Sequence, residues 1–234
     1  MLLVVSRGGS VFFETMDIQP GAVDPGGEFV VNLDRRVFVT SKTGRTYDPY
    51  DKKTVVPVPF DPTGADYVCV TGATGGSASP HGLKVQILDK GVDTVTLSGD
   101  LRQENLYFGI SYTMRYRLSD IFIRQPSQGG GSLAVTQGRL QLIKLILQYS
   151  KSTFIQVEVT PLGRSTRTYV HNGRLMGDPE NKAGIATLKD GNFAVPILAQ
   201  NNRVQIEIVN DSYLPSSVIS AEWVGEYVQR NRRI

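Results

Sequence analysis

A chain of 234 residues has room for one or two domains and can bury a core without disulfides or metals. Its formal net charge of +3 speaks against a phosphate-gripping surface, and its single cysteine excludes an internal disulfide. No stretch reaches the ~18 consecutive apolar residues of a membrane-spanning helix. The opening Met1-Leu2-Leu3-Val4-Val5 is too short for a secretory core and has no basic segment before it, so synthesis and folding in a cytoplasm are expected.

Residues 1–28 carry Pro20-Gly21 and Pro25-Gly26-Gly27 and read as an irregular lead-in with one strand at Val11-Phe12-Phe13. Asp48-Pro49-Tyr50-Asp51 reads as an Asp-Pro turn; as a calcium loop it lacks the full ligand ladder. Pro57 and Pro59 demote Val55–Phe60 to an edge strand or an extended segment. Cys69 lies within Tyr67-Val68-Cys69-Val70 and reads as a small buried apolar residue, since no flanking charge would activate its thiol. The flexible run Gly72–Pro80 follows, with Gly72, Thr74, Gly75, Gly76 and Ser77 as a candidate loop projecting toward a partner or a lumen. Leu83–Ile87 and Val92–Leu97 form an expected hairpin through Asp89-Lys90-Gly91.

Glu104–Gly109 reads as strand, and its likeness to a viral-protease cleavage sequence, without the glutamine before the cut, as chance. In Tyr112–Leu118 the alternation sets Tyr112, Met114 and Tyr116 on one face, taken as core, and Arg115 and Arg117 on the other. A stacking platform for single-stranded nucleic acid is the rival there. Gln128-Gly129-Gly130-Gly131-Ser132 is a linker by composition and divides the chain into β lobes at 29–125 and 133–234, or joins them as one continuous β domain. The run Leu140–Leu147 changes phase near Leu142-Ile143, which a β-bulge explains and a short amphipathic helix would also fit. Ile155/Val157/Val159 and Val204/Ile206/Ile208 alternate with polar residues as half-buried strands do. Asn172-Gly173 is a type I′ hairpin signal between Thr168–Val170 and Leu175-Met176. Asp190-Gly191-Asn192 reads as a further turn, and Pro196 marks an edge strand. The expected class is all-β, an antiparallel β-sandwich or barrel-like pair of lobes with long loops.

Chemistry is sparse. With His81, His171 and Cys69 only, no metal-ligand spacing exists, so no metal and no cofactor are expected. His171 reads as a turn residue. Gly-x-Ser-x-Gly is absent, and Gly72-Ala73-Thr74-Gly75-Gly76 lacks the Gly-Lys-Ser/Thr ending of a phosphate loop. Only a glycosidase stays open, because two of the 22 acidic residues brought together by the fold would suffice. Trp223 and Tyr227 suggest a β-sandwich carbohydrate binder or glycan-cleaving tail protein, against packing of Trp223 in a core.

Seven segments, in order, carry a family likeness: Asn32–Arg36, Tyr112–Ser119, Gly138–Leu142, Val157–Pro161, Asn210–Pro215, Ala221–Gly225 and Arg232–Ile234. From about residue 29 onward the chain resembles the C-terminal part of the tail nozzle, also called tail tubular protein B, of short-tailed bacteriophages. The resemblance implies a non-enzymatic virion protein in a six-fold ring below the tail adaptor, around the DNA-ejection channel. Its implied partners are copies of itself, the adaptor, other nozzle or fibre proteins and, transiently, phage DNA. It would be assembled in the host cytoplasm and reside in the virion tail. Family members carry a long additional N-terminal part, so a split nozzle, a reduced version or a fragment is implied. Arg230, Arg232 and Arg233, the one tight basic cluster, are candidate contacts to a neighbouring subunit.

Overall fold

A computed structural model describes residues 2–7, 10–15, 23–73, 79–127, 129–173 and 185–229. Strands joined by turns and irregular loops make up these residues, with one 3₁₀ turn at Asn201–Arg203, and the all-β expectation is met. The chain forms two compact units: Met1–Tyr112 with Lys182–Ala186, and Thr113–Asn181 with Thr187–Ile234.

The first unit holds β1 (Leu2–Arg7), β2 (Ser10–Thr15), β3 (Asp34–Val39), β4 (Thr46–Asp48), β5 (Lys53–Pro57), β6 (Tyr67–Gly72), β7 (Lys84–Val85), β8 (Ile87–Lys90), β9 (Thr94–Ser98) and β10 (Asn105–Ile110). The sheets run β3-β10-β6-β7 and β4-β5-β9-β8. Val39, Cys69, Leu106 and Phe108 from one sheet meet Val56, Val95 and Leu97 from the other in a shared core. Cys69 is fully buried in it, as its apolar neighbours implied. The strand at Val11–Phe13 is part of β2, which pairs with β1, a strand that the proline-glycine content of the lead-in concealed.

Two expectations fail here. β5 is not an edge: it pairs with β4 on one side and β9 on the other. Pro57 is its last residue, where the ladder ends, so the missing N–H removes nothing from the strand interior. The expected hairpin turn also shifts. β8 runs through Lys90, and Gly91–Asp93 turn back to β9, closed by the Gly91 N–H to the Thr94 carbonyl (2.9 Å).

The second unit holds β11 (Met114–Arg117), β12 (Arg124–Pro126), β13 (Ser132–Ala134), β14 (Arg139–Ser152), β15 (Ile155–Pro161), β16 (Arg167–His171), β17 (Lys189–Gln200), β18 (Val204–Asn210) and β19 (Val218–Val228). One sheet runs β11-β18-β15-β16 and the other β17-β14-β19, with β12-β13 a separate hairpin. Their shared core is Leu140, Leu142, Leu145, Leu147 and Tyr149 from β14, Val195 and Ile197 from β17, and the inward residues of β15 and β18.

The phase change in β14 is the expected bulge. Both flanking ladders slip between Leu142 and Lys144, which returns Leu145 and Leu147 to the core face. Pro196 sits opposite Lys144 on β17, an edge strand as its proline requires. Asp190-Gly191-Asn192, in contrast, is no turn but the start of β17. Gly191 lies opposite Tyr149, and a Cβ there would meet the Tyr149 hydroxyl at 2.9 Å. The glycine makes room for a ring, not for a bend. Gly173 has a φ of +66°, but Asn172 does not share the positive φ that a type I′ turn needs at both central residues, so that turn is not formed; Leu175 and Met176 lie outside the described residues.

The largest failure concerns β11. Met114 and Tyr116 do share a face of β11, but both are exposed, at 36% and 61%, as is Tyr112 ahead of the strand, at 49%. Tyr116 lies opposite Ile208, which is core. The alternation was right, and the core face simply extends beyond what the other layer covers.

Candidate assembly surfaces

Of the candidate site residues, Arg230, Arg232, Arg233, Thr74, Gly75, Gly76 and Ser77 lie outside the described residues. Gly72 is the last residue of β6, opposite Asn105, and is buried. A Cβ on it would meet the rings of Phe38 and Tyr107 at 3.0 Å each. Those rings stack at 4.3 Å between centroids. Gly72 is therefore a packing position beneath an aromatic pair and not part of a projecting loop.

The two ends of the loop that follows are held firmly. Thr71 Oγ1 donates to the Pro80 carbonyl (2.5 Å) and accepts from the Leu83 N–H (3.0 Å). His81 Nδ1 accepts from the Ala73 N–H (3.1 Å), which leaves Nε2 to donate to the Phe29 carbonyl (3.1 Å). Asn105 donates to the Ala73 carbonyl (3.2 Å), and a Glu104 carboxylate oxygen accepts from the Ser79 N–H (3.2 Å). Buried Asp24 accepts from the Val31 N–H (2.8 Å) and from Arg36 (2.6 Å), fixing the turn beneath His81. Buried Arg45 donates to the carbonyls of Leu101 (2.8 Å) and Glu104 (2.6 Å), and desolvation lowers its pKa. These partners are 25 to 59 residues apart for the Ser79–Glu104 and Arg45–Glu104 bonds, so no local pattern could reveal the clamp.

A groove of about 310 Å³ at this base is lined by Gly27, Phe29, Ala73, Pro80, His81 and Ile185. Glu28 and Ser79 line it as well, but His81 is not placed as a base there, because both its ring nitrogens are committed to backbone groups. A wider groove of about 600 Å³ is lined by Tyr67, Lys84, Gln86, Leu88, Asp89 and Lys90 among others.

The acidic pair that a glycosidase would need has a different use. Glu158 and Glu207 stand opposite each other on β15 and β18. Arg115 on β11 donates to both, at 2.6 Å and 2.5 Å, lacing three strands together on the outer face. The hydrogen bond from Arg115 holds the Glu207 carboxyl below the usual glutamate range, whereas the acid of a glycosidase needs its pKa raised. Asp48 accepts from the N–H groups of Tyr50 (2.9 Å) and Asp51 (3.4 Å), an ordinary Asx turn. Among the described residues no group of three or more His, Cys, Asp or Glu could hold a metal ion.

His171 is not a turn residue. It closes β16 half-buried, its ring 4.6 Å from Tyr149 and 5.6 Å from Phe193, and desolvation lowers its pKa. Trp223 packs partly buried against the core of its unit, and the Tyr227 hydroxyl donates to the Gln137 carbonyl. Neither is posed as an open sugar platform.

What remains is surface. β11 ends its sheet with Met114 and Tyr116 uncovered, and β19 ends the other with Ile219, Val224 and Val228 exposed over eleven residues. Apolar side chains exposed along strand edges that are unpaired among the described residues are suited to protein–protein contact.

The chain belongs to the bacteriophage nozzle protein family, whose profile matches residues 1–234. It is also similar to the tail tubular protein gp12 of Escherichia phage T7, with 26% identity over 138 residues. That match covers 59% of this chain and 17% of the T7 protein, so the chain spans a minor part of the length of this curated relative.

Proposed function

We propose that this chain is a structural subunit of a phage tail nozzle, without enzymatic activity, in an oligomeric ring around the channel through which DNA leaves the virion. The family match along residues 1–234 carries this reading. The spending of Arg115, Glu158, Glu207 and His81 on internal hydrogen bonds supports it, because side chains that might have done chemistry serve to hold strands. Its partners are further copies, six to a ring, with the tail adaptor on one side and other nozzle or fibre proteins outside. Phage DNA passes transiently. The chain is assembled in the host cytoplasm and resides in the virion tail. The stretch Thr74–Ser77, whose flanks are clamped, faces a partner or the lumen, and Arg230, Arg232 and Arg233 contact the neighbouring subunit.

Electron microscopy of purified tails tests this, with a gold-binding tag at the C-terminus. A ring of label around the tail axis is expected. Tails that lack the chain, or that carry one label without rotational symmetry, would refute it.

A further inference from the structure

The row of side chains Tyr116, Ile208, Val157 and Tyr169 crosses the whole sheet from β11 to β16 on its core face. Ile208 and Val157 are buried, Tyr169 is half-buried and Tyr116 is open. A core face left uncovered at one edge calls for a covering element that the described residues do not supply.

The direction of the strands says what that element is. The order β11-β18-β15-β16 contains three antiparallel steps, so its two edge strands run in opposite directions. The β16 edge of one copy therefore pairs antiparallel with the β11 edge of the next while both copies keep the same orientation. That is a head-to-tail contact of the kind that closes rings. In the three-stranded sheet, β17 and β19 both run against β14 and so run alike. Joining those edges between like-oriented copies would give parallel pairing, which is slightly less stable per residue.

Side-chain chemistry selects the same partner. Pairing β11 with its own copy about Arg115 or about Tyr116, the two face-preserving registers with the longest overlap, sets arginine against arginine. Like charges directly opposite are destabilising. On β16 the outer face carries Thr168 and Val170, both exposed, which Arg115 and Arg117 can accept as neighbours. Its inner face carries Tyr169. An incoming β16 also brings a lid: Arg167 donates to the Ile197 carbonyl of β17 (2.9 Å), and His171 packs on Phe193. The layer behind it would then close over Met114 and Tyr116. Among the described residues β16 pairs with β15 alone.

We propose that successive copies of this chain join by antiparallel pairing of β16 on one copy with β11 on the next, so that the β11-β18-β15-β16 sheet runs on from subunit to subunit. This rests on the ring proposed above and adds the surface that builds it.

The test is cross-linking of the full chain with a short bismaleimide, in variants carrying one cysteine on each edge: Thr113→Cys with Val170→Cys, and Arg117→Cys with Thr168→Cys. Cys69 is fully buried and stays silent. Each double variant is expected to give a ladder of covalent dimer, trimer and higher species ending at the ring, while each single variant stays monomeric on denaturing gels. Mass photometry of the same samples reports the rings themselves. Rings without a ladder overturn the edge pairing and leave the nozzle reading standing; no ring at any concentration overturns both. Covalent dimers from Arg117→Cys alone would show two-fold self-pairing and overturn the proposal. As a second readout, Tyr116→Lys is expected to raise the concentration at half-assembly about tenfold or more, with the far-ultraviolet circular dichroism unchanged; an unaltered midpoint counts against the pairing.

Discussion

Leu147 and Leu198 are the same residue type in neighbouring strands of one sheet, and the structure assigns them opposite roles. Leu147 is fully buried on the core face of β14, between Phe193 on β17 and Ala221 on β19. Leu147→Ala removes three carbons, about 2.4 kcal/mol at ~0.8 kcal/mol per methylene. The side chain is flanked by strands on both sides that cannot collapse into the space, so a cavity adds about 1–2 kcal/mol, for a total of roughly 3–4 kcal/mol. Leu198 is 59% exposed and holds a φ of +51°, a left-handed conformation that strains any side chain. Leu198→Gly relieves that strain and is expected to be neutral or to stabilise by up to ~1 kcal/mol, despite the usual cost of glycine in a strand. The assay is urea unfolding followed by Trp223, the one tryptophan, which sits opposite Leu145 and reports on this unit. A loss below ~1 kcal/mol for Leu147→Ala, or a loss above that for Leu198→Gly, would refute the packing described here.

Three further outcomes are expected. Gly191→Val should cost about 1–3 kcal/mol by the same assay, because its Cβ would drive into the Tyr149 hydroxyl at 2.9 Å, whereas Gly131→Ala, in the same unit and with open space around it, should change nothing. Arg115→Met should destabilise near neutral pH by leaving Glu158 and Glu207 facing each other. The folded-state pKa of Glu207 is lowered by Arg115, so that contribution is present above the ordinary glutamate range and is lost as pH falls through the lower folded value. The melting-temperature gap between wild type and variant should therefore hold from about pH 7 to about pH 5 and shrink as pH falls below about 4, and a gap that stays constant there would show that the carboxylates play no part. Cys69, whose thiol is pushed up by burial, should stay unmodified by a maleimide in folded protein and react only on unfolding; rapid labelling of the native chain would contradict its place in the core.

Much of this fold was legible because strand signals are local. Ile155, Val157 and Val159 alternate with polar residues, and they are the buried face of β15. The phase change in Leu140–Leu147 located the bulge to within a residue, since a slip in alternation has few other causes in a strand. The errors fall where one residue type serves two geometries. Pro57 is compatible with an edge strand and equally with the last position of an interior one, and only the pairing partners decide. Gly191 is compatible with a turn and with a place beneath an aromatic ring. The clamp of His81, Asn105 and Glu104 was invisible because its partners lie far apart in sequence.

The misreading of Tyr112, Met114 and Tyr116 has a different origin. Alternation divides a strand into two faces and carries no information on which face another layer covers. In β15 the apolar face is covered within the chain; in β11 the same pattern reaches past the sandwich. An apolar face beside an edge that is unpaired among the described residues is costly to leave in water and prone to indiscriminate pairing, which is the physical ground for the partner proposed above. Arg115 fits that view, because by lacing β11 to Glu207 and Glu158 it holds the edge strand flat against its sheet before any partner arrives. A preset edge removes part of the ordering cost of association. The core expectation for β11 fails within the described residues, and on the edge pairing proposed above the next copy would supply the layer that its apolar face lacks.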